Sequence, residues 1–394
     1  REALWLALSR PVEAIMLDGG SAISTTPGTY AATNPDTAEA LAEFSDRVLR
    51  PYGPMLRKMT GSPTRVAMLQ SVYSSLYGRT GNYGNANRIF ADVYNSAILA
   101  QLQPRILYEE SLGELEKFEV LLVPDIRFLS ESGFAAVKRF LASGRTVITD
   151  KGSRLELPGV VKLPFEETAK LSAADREAAW RRGAKLLLQT LAEKKFRRTV
   201  SSPSDNLVIS RRLGDGDQAI FLINDSRTAG DYVGKFGKVL EAGVPQRVKV
   251  EFAPELAAKG RVLYDTAARR KVTLEKGSAE FFLPPGGGRL LYLASAELTG
   301  LKAEIAPAVR RGEKIRLRAE LLAAGPVRGT QALEVEIRDS AGRRHASSGY
   351  YSLTNGAFEL EIPVARNDRT GYWTVICTDL IAGHRAEGAF RVNP

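Results

Sequence analysis

Between residues 64 and 200, short apolar runs alternate with stretches whose apolar positions recur every three to four residues. Residues 65–73 (RVAMLQSVY), 105–109 (RILYE), 118–123 (FEVLLV) and 145–149 (RTVIT) are predicted strands, and 118–123 is apolar enough to be covered on both faces. Helices are predicted over 85–102, where Pro104 ends the pattern, and from Ser130 through Phe134, Val137, Phe140 and Leu141, with Gly144 at the C-cap. A charged helix over 172–196 closes the segment. This alternation predicts βαβ units and a mainly parallel sheet.

The flanks read differently. Residues 1–60 predict a short apolar helix at 3–8, a strand at 12–17 (VEAIML) ending in Asp18-Gly19-Gly20, and a polar loop over 21–35. A helix then starts near Asp36 or Thr37 and keeps its period through Leu41, Phe44, Val48 and Leu49 up to Pro51. Beyond residue 200, short strands recur every ten to twelve residues between Gly/Pro turns. They fall at 207–212, 218–224, 246–252, 260–265, 271–275, 279–283 and 288–294, then at 301–305, 314–322, 332–338, 357–362, 371–379 and 385–392. The expected domains are 1–60, 61–200, 201–295 and 296–394. The fold class is multidomain α/β plus all-β: a flavodoxin-like parallel sheet followed by two antiparallel β-sandwiches.

Composition narrows the chemistry. The 394 residues carry 55 Lys+Arg against 45 Asp+Glu, a formal charge of +10. The basic residues are scattered in twos and threes with no aromatic-interleaved stripe, a solvated surface rather than a nucleic-acid face. No apolar run is long enough to span a bilayer. The single cysteine, Cys377, excludes an intrachain disulfide and a thiolate metal cluster, and alternation with Val375 places it in a core. His345 and His384 lie in C-terminal turns without visible partners, and no metal or cofactor is expected. The chain opens at Arg1 on a structured segment, which reads as a fragment of a longer protein.

The passage FEVLLVPDIRFLSESGFAAVKRFLASGRTVITDKGS, residues 118–153, resembles the amidotransferase-like domain of glycoside hydrolase family 42 β-galactosidases. An apolar strand ends at Pro-x, a loop leads to an amphipathic helix, and Gly-Arg-Thr-Val-Ile opens the next strand. Upstream, LWLALSRPVEAIMLDGG with TNPDTAEALAEFSDRVLRPYGPML resembles the last β/α unit of the catalytic barrel in those enzymes. The tail, GAFELEIPVARNDRTGYWTVICTDLIAGHRAEGAFRV, is similar to macroglobulin-type or immunoglobulin-like sandwiches of secreted proteins. The resemblance implies that the two catalytic acids lie on barrel strands upstream of Arg1. Carbohydrate would then be bound by that missing barrel, a homo-oligomer would form through the α/β domain, and the location would be secreted or periplasmic. The chain becomes a non-catalytic accessory region. A non-enzymatic secreted scaffold built of the same modules is the alternative.

Within the chain, candidate substrate-binding residues are Asp18, at the end of the 12–17 strand, and Asp125 and Asp150, at strand ends of the parallel sheet, where such sheets bind ligands. For Asp18 the competing reading is a cap on the Gly19-Gly20 turn. Ser71 and Ser74 fall at the same strand ends. The loop 78–87 (GRTGNYGNAN) lacks the Lys-Ser/Thr of a phosphate loop and reads as an ordinary connection. An active amidotransferase of the resembled class needs a Cys nucleophile and a His, and the corresponding Asp150-Lys151-Gly152 offers neither. A hydrolase using Ser74 or Asp125 unaided is the third reading, and it lacks a nearby base.

Overall fold

In a computed structural model, residues 1–16, 36–77, 88–228, 232–233, 238–239, 242–257 and 260–394 are described. The chain divides into two units, residues 1–62 with 211–247 and 252–394, and residues 63–210 with 248–251.

The first unit opens with α1 (Glu2–Leu8) and α2 (Asp36–Phe44), which runs through a π-helical turn at Ser45–Leu49 into α3 (Arg50–Leu56). The expected stop at Pro51 does not occur. Pro51 follows directly on the π-helical turn, where the backbone ladder is already shifted from the regular α spacing, and the helix continues through it. The expected strand at 12–17 is also absent: Val12–Met16 runs without regular structure and Met16 is 89% exposed. No neighbouring strand pairs with it among the described residues, so its backbone has no ladder to join. Leu17 and Asp18 lie outside the described residues.

The second unit is built on β1 (Val66–Gln70), α4 (Val72–Tyr77), α5 (Arg88–Leu99), β2 (Arg105–Tyr108), β3 (Val120–Leu122), α6 (Glu131–Ala142), β4 (Thr146–Asp150), β5 (Val161–Leu163) and α7 (Ala173–Glu193). All strands pair in parallel in the order β2-β1-β3-β4-β5, the flavodoxin-like order. The pleat divides each apolar run between two cores. Val66, Met68, Val120, Leu122 and Ile148 face α5 and α7 through Val93, Ala97, Leu187 and Leu191. Ala67, Leu69, Leu121, Val123 and Val147 face α6 through Val137 and Phe140. Coverage on both faces is why residues 118–123 carry no polar alternation. Each fully buried Leu or Val there contributes about 2 kcal/mol of apolar transfer.

Strand β1 ends at Gln70, three residues short of the strand predicted over 65–73, because the chain turns into α4 after Ser71. Strand β5 and a 3-10 segment at Glu109–Lys117 have no clear sequence signature, being short and partly exposed.

The remainder of the first unit is antiparallel β. Strands Arg270–Lys271, Val262–Asp265, Gly288–Ala294 and Gln218–Asn224 lie side by side in that order. The C-terminal strands form one eight-stranded sheet, ordered Leu298–Ile305, Lys314–Ala323, Ala357–Pro363, Gly349–Thr354, Thr330–Arg338, Gly371–Asp379, Arg385–Asn393, Ala308–Arg310. It curls so that Leu298–Ile305 packs on Arg385–Asn393. Its core holds Trp373, Phe390, Val335, Ile337, Val375 and Cys377, all almost wholly buried. Burial pushes the Cys377 thiol up to about 11, leaving an unreactive small hydrophobe.

Both histidines are tied in, against the expectation of free turn residues. The His345 ring packs 5.2 Å from that of Trp373 and its Nδ1 accepts from Ser347 N at 3.2 Å. His384 Nε2 lies 3.2 Å from the Leu298 carbonyl oxygen.

Candidate functional site

In the order β2-β1-β3-β4-β5 the chain reverses direction of winding between β1 and β3, and the carboxyl ends of these strands form the natural ligand edge. Asp125 and Asp150 meet there. The Asp125 backbone N–H donates to Asp150 Oδ1 at 2.6 Å, both residues are largely buried, and Arg127 Nε stands 3.7 Å from Asp125 Oδ1. Asp125 has φ of 55°, the left-handed region that few residues besides glycine, asparagine and aspartate adopt. The loop that leaves β3 thus makes its left-handed turn at residue 125. Positive φ leaves no mark in hydropathy, so the sequence does not show it.

Around this turn the hydroxyls are committed to holding the backbone. Ser74 Oγ accepts from Arg127 N and Phe128 N, both at 3.0 Å, and donates to the Phe128 carbonyl at 2.7 Å. Ser71 Oγ accepts from Ser74 N at 3.1 Å and lies 2.6 Å from Glu109 Oε1 and 2.9 Å from the Phe128 carbonyl. Thr149 Oγ1 donates to Val123 O at 2.6 Å. Both lone pairs and the proton of Ser74 are used, so it has nothing left with which to attack a substrate.

Glu109 is a further functional residue of this edge. Its carboxylate gathers the Ser71 hydroxyl, the Ser130 N–H at 2.9 Å and the Ser130 hydroxyl, tying the end of β2 to the start of α6. Ser130 in turn caps α6 by accepting from Gly133 N at 3.0 Å. Its only sequence signal was its place as the last residue of the predicted 105–109 strand.

The arrangement can hold a loop rigidly and present a carboxylate beside a guanidinium. It lacks the Cys–His pair of the resembled amidotransferase class, because residues 63–210 contain no cysteine and no histidine. Asp18 and the 78–87 loop lie outside the described residues. No group of three or more His, Cys, Asp or Glu side chains suited to a metal occurs among the described residues.

Elsewhere, described residues of the first unit line further concavities. One of about 570 Å³ is lined mostly by Ile220, Phe252, Leu256, Leu263 and Leu293, with Arg261 and Lys271 as the charged groups among the described residues. Another, about 480 Å³, lies on the C-terminal sheet, where Glu304, Glu320 and Glu359 alternate with Lys302 and Arg318.

No family model and no curated protein matches the chain. Its fold is α/β plus all-β, and the solved structures with partial likeness to it include glycosidases. A catalytic mutant of Gan42B, a GH42 β-galactosidase from G. stearothermophilus, is 12% identical, with a TM-score of 0.41 over 68% of this chain and 47% of that one. A cold-adapted β-galactosidase from Rahnella sp. R3 is 12% identical, with a TM-score of 0.42 over 67% and 45%. An exo-carrageenase GH42 from Bacteroides ovatus is 13% identical, with a TM-score of 0.32 over 60% and 29%. The chain spans less than half the length of each of these enzymes.

Proposed function

We propose that this chain is a non-catalytic accessory region of a glycoside-hydrolase-like protein that acts on carbohydrate. The observation that carries the reading is the strand-end site of the parallel sheet. Its hydroxyls hold the backbone, its turn residue is an aspartate, and its unit has neither cysteine nor histidine. The sequence resemblance of residues 118–153 supplies the carbohydrate context. In this reading the acid–base pair belongs to a barrel outside these 394 residues. Asp125 and Asp150 take part in sugar contact or in seating the α/β unit, and self-association through that unit and a secreted or periplasmic location follow from the same resemblance.

The test compares this chain with the longer protein on a panel of aryl glycosides. Turnover by the longer protein alone supports the accessory role. Turnover by the 394-residue chain overturns it. If neither turns over, the scaffold alternative takes its place.

A further inference from the structure

Helix α4 is built inside out. Its one buried residue is Ser74, while Val72, Tyr73, Leu76 and Tyr77 are 42%, 43%, 65% and 69% exposed. Phe128, on the loop after the residue 125 turn, is 44% exposed and meets the Tyr77 ring edge-on, with centroids 6.3 Å apart. Apolar rings left in water on a short helix ordinarily weaken a fold. Here they are held in place, because Ser74 binds the N–H groups of Arg127 and Phe128 and the Phe128 carbonyl, clamping the helix to the loop. The rings are therefore a fixed rim and pay little ordering entropy on contact.

Beside this rim the same loop carries the Asp125–Arg127 ion pair, with Asp150 bonded to the Asp125 backbone. Two carboxylates and one guanidinium leave no cationic excess for a phosphate or a nucleic acid. Asp125 and Asp150 are largely buried and hold the loop, while the Arg127 side chain, 35% exposed, presents the edge of its guanidinium toward a neutral, hydroxyl-rich ligand. Aromatic faces carry negative charge density and attract the weakly positive C–H groups that line one side of a pyranose ring.

We propose that Tyr73, Tyr77 and Phe128, together with Arg127, form a saccharide-binding surface of the α/β unit. This rests on the carbohydrate reading above and deepens it by naming the aromatic side chains that would meet the sugar. The surface is an open rim, so affinity for a single sugar is in the millimolar range, and its role is to hold a polysaccharide near the enzyme.

The experiment is saturation-transfer NMR on the 394-residue chain with lactose, cellobiose and galactobiose, each up to about 10 mM, a range that detects millimolar dissociation constants. The expected result is transfer to sugar C–H protons from the wild type. It falls about tenfold in the Tyr77→Ala, Phe128→Ala double variant, as loss of central aromatic contacts does. Tyr372→Ala, which removes an equally exposed ring on the C-terminal sheet, leaves it unchanged. Circular dichroism establishes that each variant is folded. No transfer from the wild type, or equal transfer from the double variant, overturns the proposal. So does sedimentation showing concentration-dependent self-association that the double variant abolishes, since a second copy would then cover the rim. Glycoside turnover by the chain alone would overturn the accessory role and leave sugar binding standing. Absence of binding would leave the accessory role standing.

Discussion

Asp217 is wholly buried between two glycines, where its Oδ2 accepts from Tyr292 Oη and Thr330 N, both at 2.8 Å. Burial pushes both its carboxyl and the Tyr292 hydroxyl above their ordinary ranges. A Cβ at Gly329 would lie 2.2 Å from the Asp217 carboxyl carbon, and Gly329 has φ of 81°. Gly329→Ala is expected to lower stability by about 3 kcal/mol, read from the urea midpoint, through clash and backbone strain together. Gly144 has the same φ of 81° with nothing within 4 Å, so Gly144→Ala isolates the backbone share, about 1 kcal/mol. Glu2 gives a pH signature. Burial, and then the neighbouring Asp225, push its carboxyl from 4.5 to about 7, while Arg227 acts in the opposite sense. The folded state therefore holds a proton that the unfolded chain has released. Stability declines as pH rises from about 4.5 through about 7, by on the order of 2 kcal/mol. Glu2→Gln is expected to remove that decline, so the variant gains on the wild type in melting temperature at pH 8 and matches it at pH 4.

At the scale of elements, helix ends and strand ends are joined by single side chains. Arg212, almost fully buried, donates from Nε to Met59 O at 2.8 Å, from Nη1 to Leu8 O at 3.2 Å, and from Nη2 to Leu56 O. It satisfies carbonyls left open at the ends of α1 and α3, which helices cannot pair internally. Burial pulls its guanidinium down to about 10, still charged at neutral pH. Arg212→Met keeps the stem and removes the donors. A loss of about 3 kcal/mol is expected, with amide exchange rising first at residues 52–59. In the other unit Ser74 plays the same part for α4 and the 125–128 loop. Ser74→Ala is expected to destabilise that unit by about 2 kcal/mol and to speed exchange at Arg127 and Phe128, whose N–H groups lose their acceptor.

For the whole molecule, the excess of ten positive charges is spread along the sequence in twos and threes. Arg182 pairs with Glu166, Lys314 with Glu361, Arg343 with Asp339 and Arg385 with Glu387, all on the surface. Such pairs add little to stability, but they dilute the field that would draw a polyanion. Gel-shift titration with duplex DNA at 0.15 M salt is expected to show no complex below about 0.1 mM, weaker than ordinary non-specific binding. A shift at micromolar protein would mean that the scattered cations converge on one surface.

Hydropathy alone determined the parallel sheet, since a strand covered on both faces must be apolar at consecutive positions, as residues 118–123 are. It also determined the antiparallel character beyond residue 200, where alternation such as that of Lys314–Ala323 records one wet and one dry face. Gly144 and Ser130 were legible as caps because a local rule of backbone geometry ties each to its place. Tertiary structure decided the rest. Whether residues 12–17 became a strand depended on a partner strand that hydropathy cannot supply, and whether Pro51 stopped a helix depended on a π turn just before it. The meeting of Asp125 with Asp150, and of Ser71 with Glu109, joins residues 25 and 38 apart in sequence. Polar groups at strand ends look alike in sequence, and only the strand order and the left-handed turn at Asp125 determine which of them touch.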